Sequence, residues 1–228
     1  IFSTSATERM RITSTGNVGI GVTPEATEAG YDALQIGGNA NITSYATQGA
    51  GGQVDYGHNF YYAASGQDKY ISTDEATQFR QGGGVFRFRT APSGTADAAI
   101  TFTERMIITQ AGNVGIGDAS PTEGKLVVAG TGASSSPALH LSITESTTFN
   151  HFVNMVDSNL TAGENGIIVF GQELDSKNAA WIGYKHRSDH GNDNQLTLGF
   201  WGANNLVNLL PNGNFGIGTE TPAAQLHL

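Results

Sequence analysis

The carboxylates Asp55, Asp68, Asp74, Glu75, Glu164, Glu173 and Asp175 stand in polar, glycine-containing stretches. Glycoside hydrolysis needs two such groups at a fixed separation, one to protonate the leaving oxygen and one to activate water or attack the sugar. Spacing singles out no pair among the seven, and their neighbours suit solvated loops, so they are read as loop carboxylates. A second cluster, His186, Asp189, His190 and Asp193 with Asn192 and Asn194, offers nitrogen and oxygen ligands. It lacks the twelve-residue calcium pattern and its closing glutamate. Asp, Asn and Gly are what a tight turn requires, so a polar turn is expected and no metal is assigned. The Gly-x-Gly of Gly19-Ile20-Gly21 has no third glycine at dinucleotide spacing, no following Lys-Ser/Thr and no helix pattern, which excludes a phosphate loop and a nucleotide cofactor.

Aromatic side chains remain as candidates for recognition, because sugar rings stack on aromatic faces. They group as Tyr56, Phe60, Tyr61 and Tyr62, and as Trp181, Tyr184, Phe200 and Trp201. Alternation assigns Phe86, Phe88, Trp181 and Phe200 to a core. Tyr61 and Tyr62 are adjacent and must face opposite ways in one strand, so one of them is expected to be exposed. Tyr61, Tyr62, Trp181, Tyr184 and Trp201 are the candidate glycan contacts. Asn41-Ile42-Thr43 and Asn159-Leu160-Thr161 fit the glycosylation acceptor pattern, a match that arises readily by chance in a chain rich in Asn and Thr.

The elements that must carry these residues are set by an unusual composition. In 228 residues there are 31 glycines, 14% charged residues and no cysteine. Disulfides and thiolate chemistry are excluded. A net charge of −9 opposes the phosphate contacts of nucleic-acid binding. Apolar runs such as Gly166-Ile167-Ile168-Val169-Phe170 are too short to insert in a membrane. The opening at Ile1, inside a patterned segment, creates the expectation of a processed product or a piece of a longer chain.

One motif occurs three times. It reads Glu8-Arg9-Met10-Arg11-Ile12-Thr13-Ser14-Thr15-Gly16-Asn17-Val18-Gly19-Ile20-Gly21 with Pro24, then Glu104 to Gly117 with Pro121 and Leu126-Val127-Val128. The third copy runs from Asn205 to Gly218, with Pro222 and Leu226-His227-Leu228. Gly16 and Gly112 lie 96 positions apart, and Gly112 and Gly213 lie 101 apart. Each copy predicts a hairpin. An alternating strand enters, glycine supplies a positive φ at the turn, and the returning strand sets Val18 and Ile20, Val114 and Ile116, or Phe215 and Ile217 opposite bare glycine. A strand face of bare glycine predicts a closely packed neighbouring backbone, here taken to be another chain. The proline ends pairing, and a Leu-x-aliphatic strand follows. His140 and His227 are expected to point outward between core leucines.

Between the copies lie inserts with similar openings, Ala33-Leu34-Gln35-Ile36 and Ala138-Leu139-His140-Leu141, and late alternating strands at 85–89 and 196–201. Stretches 48–53 and 81–84 read as loops. No segment shows capped helical periodicity, so both inserts are predicted to be small antiparallel β-sandwiches. The organisation expected is hairpin 1 at 1–32, knob 1 at 33–103, hairpin 2 at 104–130, a linker at 131–137, knob 2 at 138–204 and hairpin 3 at 205–228.

The pattern Glu-Arg-Met-Arg-Ile-Thr, Gly-Asn-Val-Gly-Ile-Gly, Pro, Leu-x-Val resembles a repeat of phage tail fibres and related fibrous virion proteins, often found upstream of a self-cleaving chaperone domain. No chaperone module is visible here. The resemblance implies an all-β, elongated, intertwined homotrimer with hairpin connectors and globular knobs. It also implies a virion or extracellular location, other fibre or virion subunits as partners, and a host-surface glycan or protein as receptor. Carried onto this chain, Val18, Gly19, Ile20, Gly21, Val114, Gly115, Ile116, Gly117, Phe215, Gly216, Ile217 and Gly218 become the connector and trimer-packing residues. A structural role in host attachment, without catalysis or cofactor, is the reading carried forward. A bacterial surface adhesin or filament is the alternative, and a polysaccharide depolymerase comes third.

Overall fold

The computed structural model of the chain describes residues 1–45, 52–130, 153, 155–156, 159–175 and 177–228. All regular structure among them is β, as expected from the alternation and the turn residues. They fall into two units, Ile1–His140 and Leu141–Leu228. The expected linker at 131–137, the strand Ala138–Leu141 with His140, and most of the loop at 48–53 lie outside the described residues.

The first unit contains β1 (Phe2–Thr4), β2 (Thr7–Ile12), β3 (Val18–Ile20), β4 (Tyr31–Ile36), β5 (Ala40–Tyr45), β6 (Gln53–His58), β7 (Tyr61–Ala63) and β8 (Gln67–Lys69). It continues with β9 (Asp74–Gly82), β10 (Val85–Gly94), β11 (Thr103–Ile108), β12 (Val114–Ile116) and β13 (Leu126–Val128). Eleven of these strands form one sheet in the order β1-β2-β3-β4-β5-β6-β9-β10-β11-β12-β13, and β7 and β8 pair separately. Small sandwiches are the expectation for the inserts. Instead, the strands of the first insert continue the sheet that the flanking hairpins begin, with no break in hydrogen bonding. The physical reason is that alternation fixes two unlike faces on each strand but does not fix what covers either of them.

The second unit contains β14 (Asn165–Gly171), β15 (Ala179–Lys185), β16 (Gln195–Phe200), β17 (Ala203–Leu209), β18 (Phe215–Ile217) and β19 (Leu226–His227). They make a single six-stranded sheet in sequence order. All pairs are antiparallel except β18 with β19.

The expected loop at 81–84 is tighter than the sequence implies. Gln81 and Gly82 stay in β9, and only Gly83 and Gly84 turn, both at positive φ (59° and 74°). Two consecutive positive φ values are what a two-residue hairpin between twisted strands demands, and glycine meets that at little steric cost.

Candidate functional site

The three motif copies share one backbone arrangement. In each, two antiparallel strands (β2 and β3, β11 and β12, β17 and β18) are followed by a parallel third (β4, β13, β19). The turns close alike. Gly16, Gly112 and Gly213 donate their N–H groups to the carbonyls of Thr13, Thr109 and Leu210, and all three glycines have positive φ. Thr13, Thr109 and Leu210 donate in turn to the carbonyls of Asn17, Asn113 and Asn214. That is a type I turn closed by a glycine bulge, and Pro211 sits at its favoured second position.

The glycines of the returning strands have a cause within the chain itself. A Cβ on Gly19 would lie 2.2 Å from the Val22 carbonyl oxygen and 2.6 Å from Pro24. On Gly115 it would meet the Asp118 carbonyl oxygen at 2.1 Å, and on Gly216 the Thr219 carbonyl oxygen at 2.6 Å. Backbone of the chain's own crossing loop therefore packs closely against these glycines. Gly21, Gly117 and Gly218 are required by positive φ values of 68°, 74° and 73°. Each loop is pinned by the asparagine of its motif, whose side-chain amide donates to a carbonyl eight residues on. The pairs are Asn17 to Glu25 at 3.1 Å, Asn113 to Pro121 at 3.1 Å and Asn214 to Pro222 at 2.9 Å. Sequence reading missed these asparagines as clamps, although their fixed place in the motif was the available signal.

With the loops packed on one side, the two faces of each sheet separate by chemistry in an unexpected sense. Register places Ile12, Val18, Leu34, Ile42 and Tyr56 in one row across the first sheet, and the row runs on through Phe79, Phe88, Met106, Ile116 and Val128. Phe79 stacks on Phe88 with ring centroids 4.7 Å apart, and on Phe86 at 6.1 Å. This apolar face is open. Tyr56 is 41% exposed, Phe86 43% and Phe88 42%. The second sheet repeats the arrangement with Ile168, Ile182, Leu198, Val207 and Ile217 in one row, and Tyr184, Leu196, Leu209, Phe215 and Leu226 in the next. Leu198 and Phe200 are largely exposed there. The core assignment of Phe86, Phe88 and Phe200 is thus corrected. They alternate as core residues do, but the described residues of their own unit leave them exposed. Trp181 alone of that group is buried.

The buried faces are largely polar, with Ala33, Ala76, Ala91, Ile107 and Trp181 among their apolar members. Thr43, Asp55, Gln35, Asn41 and Gln78 in the first unit, and Gln195, Thr197 and Asn208 in the second, are almost fully enclosed. In the first unit the cover is built from the loop after β3, the β7–β8 hairpin and residues near 97–102, tied together by bridges of Thr27 to Ala63 and Lys69 to Ala99. Beneath it, Arg80 donates from Nε and Nη2 to the two oxygens of Asp55 at 2.6 and 2.8 Å. Asp68 lies 3.8 Å from the same guanidinium. Burial pushes the Asp68 carboxyl above its ordinary range, and Arg80 partly opposes that. Arg89, whose guanidinium lies over the Phe102 ring at 5.1 Å, has its pKa lowered by burial and by neighbouring Arg80. Phe60 is fully buried and meets Phe102 edge-on. In the second unit, Glu220 accepts from Lys185 at 2.8 Å, from Arg187 at 2.6 Å and from Asn205 at 2.6 Å. The Lys185 hydrogen bond is the main cause that holds its carboxyl below the ordinary range.

The remaining sequence candidates take ordinary places. Asp55 and Asp68 belong to the buried Arg80 cluster, and Asp74 caps the Glu75 N–H. Glu164 accepts from the Thr161 N–H, and Glu173 accepts from Asn178. The 186–194 stretch is a turn closed by its own side chains: Asn194 Oδ1 accepts from the N–H groups of Arg187 and Ser188, and Ser188 donates to Asp193. Among the described residues, no three His, Cys, Asp or Glu side chains gather as a metal site would need. Asn41 is buried and hydrogen-bonded to Thr43, so the first glycosylation match is closed to modification in the folded chain. His227 is half-buried beneath the last loop and accepts from the Ala223 N–H, while Leu226 and Leu228 are exposed. That reverses the outward placement expected of it.

Of the candidate glycan contacts, Tyr61 is buried and donates to Asp97 at 2.8 Å. Burial and that hydrogen bond raise its pKa. Tyr62 is half-buried against Tyr31, with centroids 4.6 Å apart. Tyr184 stands on the apolar face. Trp181 and Trp201 come together in a cleft of about 550 Å³, lined also by Leu160, Glu164, Asn165, Ile167, Gly202 and Asn204. The five candidates therefore do not form one site.

Compared with known proteins, the chain matches no family model, and a search of curated proteins gives no match.

Proposed function

We propose that this chain is a structural, non-catalytic segment of a phage tail fibre or similar virion appendage that takes part in host attachment, and that it works as a homotrimer. One observation carries the reading: among the described residues, each sheet leaves most of its apolar face open and encloses its polar face. Isolated soluble domains seldom expose contiguous apolar rows of this length, and such rows mark surfaces that associate. Burying them returns roughly 25 cal/mol per Å² of apolar area removed from water.

Other copies of the same chain are the simplest cover, because every copy presents a matching narrow row of Ile, Leu, Val and Phe. The Gly-Asn-x-Gly-Ile-Gly repeat that resembles fibrous virion proteins supports the same reading. Within the motif, Val18, Ile20, Val114, Ile116, Phe215 and Ile217 supply the packing surface, while the glycines serve the local turn. Sedimentation of the intact 228-residue chain tests the proposal. A mass of three chains is expected, and a well-folded monomer at micromolar concentration overturns it.

A further inference from the structure

We infer that the cleft around Trp181 and Trp201 is a binding site for an uncharged saccharide. The inference deepens the attachment reading and rests on it for its biological sense, but its chemistry stands on the cleft itself. The chain has two tryptophans, and both line this one depression. Trp181 is packed with its six-membered ring over Gly199, where a Cβ would come within 2.4 Å of it, so it forms a fixed wall. Trp201 sits on the turn between β16 and β17 and is 38% exposed, which leaves ring area to stack on the C–H face of a sugar.

Polar groups surround the indoles. The side-chain amides of Asn165 and Asn204 make no hydrogen bond to other described residues, and each offers both donors and an acceptor to hydroxyl groups. Glu164 holds the Thr161 N–H with one oxygen and keeps the other for a hydroxyl donor. A volume of about 550 Å³ suits one or two hexose rings. Among the described residues that line the cleft there is no lysine or arginine, and Glu164 would repel a carboxylate or phosphate, so neutral and N-acetylated hexoses fit better than acidic sugars. Asn165, Ile167 and Trp181 belong to the face of the sheet opposite the apolar rows, and Leu160 and Ile167 also border the depression beside Ile168 and Ile182.

The test is a titration of the intact chain with neutral disaccharides and with N-acetylglucosamine oligomers, read by tryptophan emission. Both tryptophans report on the site. A saturable shift in emission at millimolar sugar is expected, weakened about tenfold or more by Trp201→Ala and also reduced by Asn204→Ala. The second change alters only an exposed amide and so guards against a folding artefact. Glucuronic and sialic acid should give a weaker shift. Absence of any shift with neutral sugars, a shift that survives both substitutions, or equal binding of acidic sugars overturns the inference. Sedimentation of the same sample reports the oligomer separately, so a failed sugar site and a failed assembly are distinguishable.

Discussion

Asn17 holds its loop on three sides: its amide donates to the Glu25 carbonyl and to Thr27 Oγ1, both at 3.1 Å, and its Oδ1 accepts the Ala33 N–H at 3.1 Å. Asn113 and Asn214 make the same eight-residue clamp, to Pro121 and Pro222, without the buried partners that Asn17 has. Because a buried group left without its partner costs about 1–3 kcal/mol, Asn17→Ala should destabilise by that amount or more. Asn113→Ala and Asn214→Ala should cost less. Urea midpoints of the three variants give the order.

In the first and third motifs the two glycines should respond differently to alanine, whereas in the second a Cβ on Gly117 would itself meet the Ala129 carbonyl oxygen at 2.1 Å. At Gly19 and Gly115 the new Cβ would strike backbone carbonyls at 2.2 and 2.1 Å, so the crossing loop must move. At Gly21 and Gly218 nothing lies within 4 Å, and only the positive φ is strained, at a cost of about 1–2 kcal/mol. Thermal unfolding should therefore rank Gly115→Ala as more damaging than Gly21→Ala. Equal effects would argue against the own-chain explanation.

Removing Asp55 leaves Arg80 beneath the cover of the first sheet with only the longer 3.8 Å contact to Asp68. A broken buried pair costs about 3–5 kcal/mol, so Asp55→Ala should unfold or greatly weaken the first unit. The contrasting pair Glu8 and Arg11 lies at the surface, and Glu8→Ala should leave the denaturation midpoint unchanged. Guanidinium titrations of both variants check the contrast.

Acid should loosen the second unit through Glu220. Its folded-state pKa is lowered by Lys185, Asn205 and Arg187, so the stability it contributes is present above the unfolded carboxylate range and is lost as pH falls through that range toward the folded value. Its side chain is 38% exposed, so solvent screening keeps the effect modest. Glu220→Gln should be less stable than wild type at neutral pH and should lose less on acidification. Unfolding midpoints measured between neutral and acid pH give both curves.

A charge on an open row should block association and spare the fold. Leu198→Asp alters a side chain that is 43% exposed within its own unit, whereas Thr197→Asp alters one that is fully buried. The first should yield folded monomers by sedimentation and circular dichroism, and the second should unfold. If Leu198→Asp still assembles, the apolar face is not the contact surface.

The sequence by itself determined the β character of the chain, the three turns and the strands that flank them. Those depend on local rules: alternation for strands such as Val85–Arg89, a glycine at positive φ for Gly16, Gly112 and Gly213, and proline to end pairing. It also placed unlike residues on opposite faces, since Tyr56 and Asp55 cannot point the same way in one strand. Which face is enclosed was decided by tertiary structure alone. The loop after Gly21, the hairpin carrying Asp68 and the turn carrying Glu220 all pack on the polar side, and the contacts that hold them there join residues far apart in the chain. Tyr61 to Asp97, Arg80 to Asp55 and Lys185 to Glu220 have no local signature. A period of two gives every strand two faces but carries no sign, and only long-range packing says which one meets water.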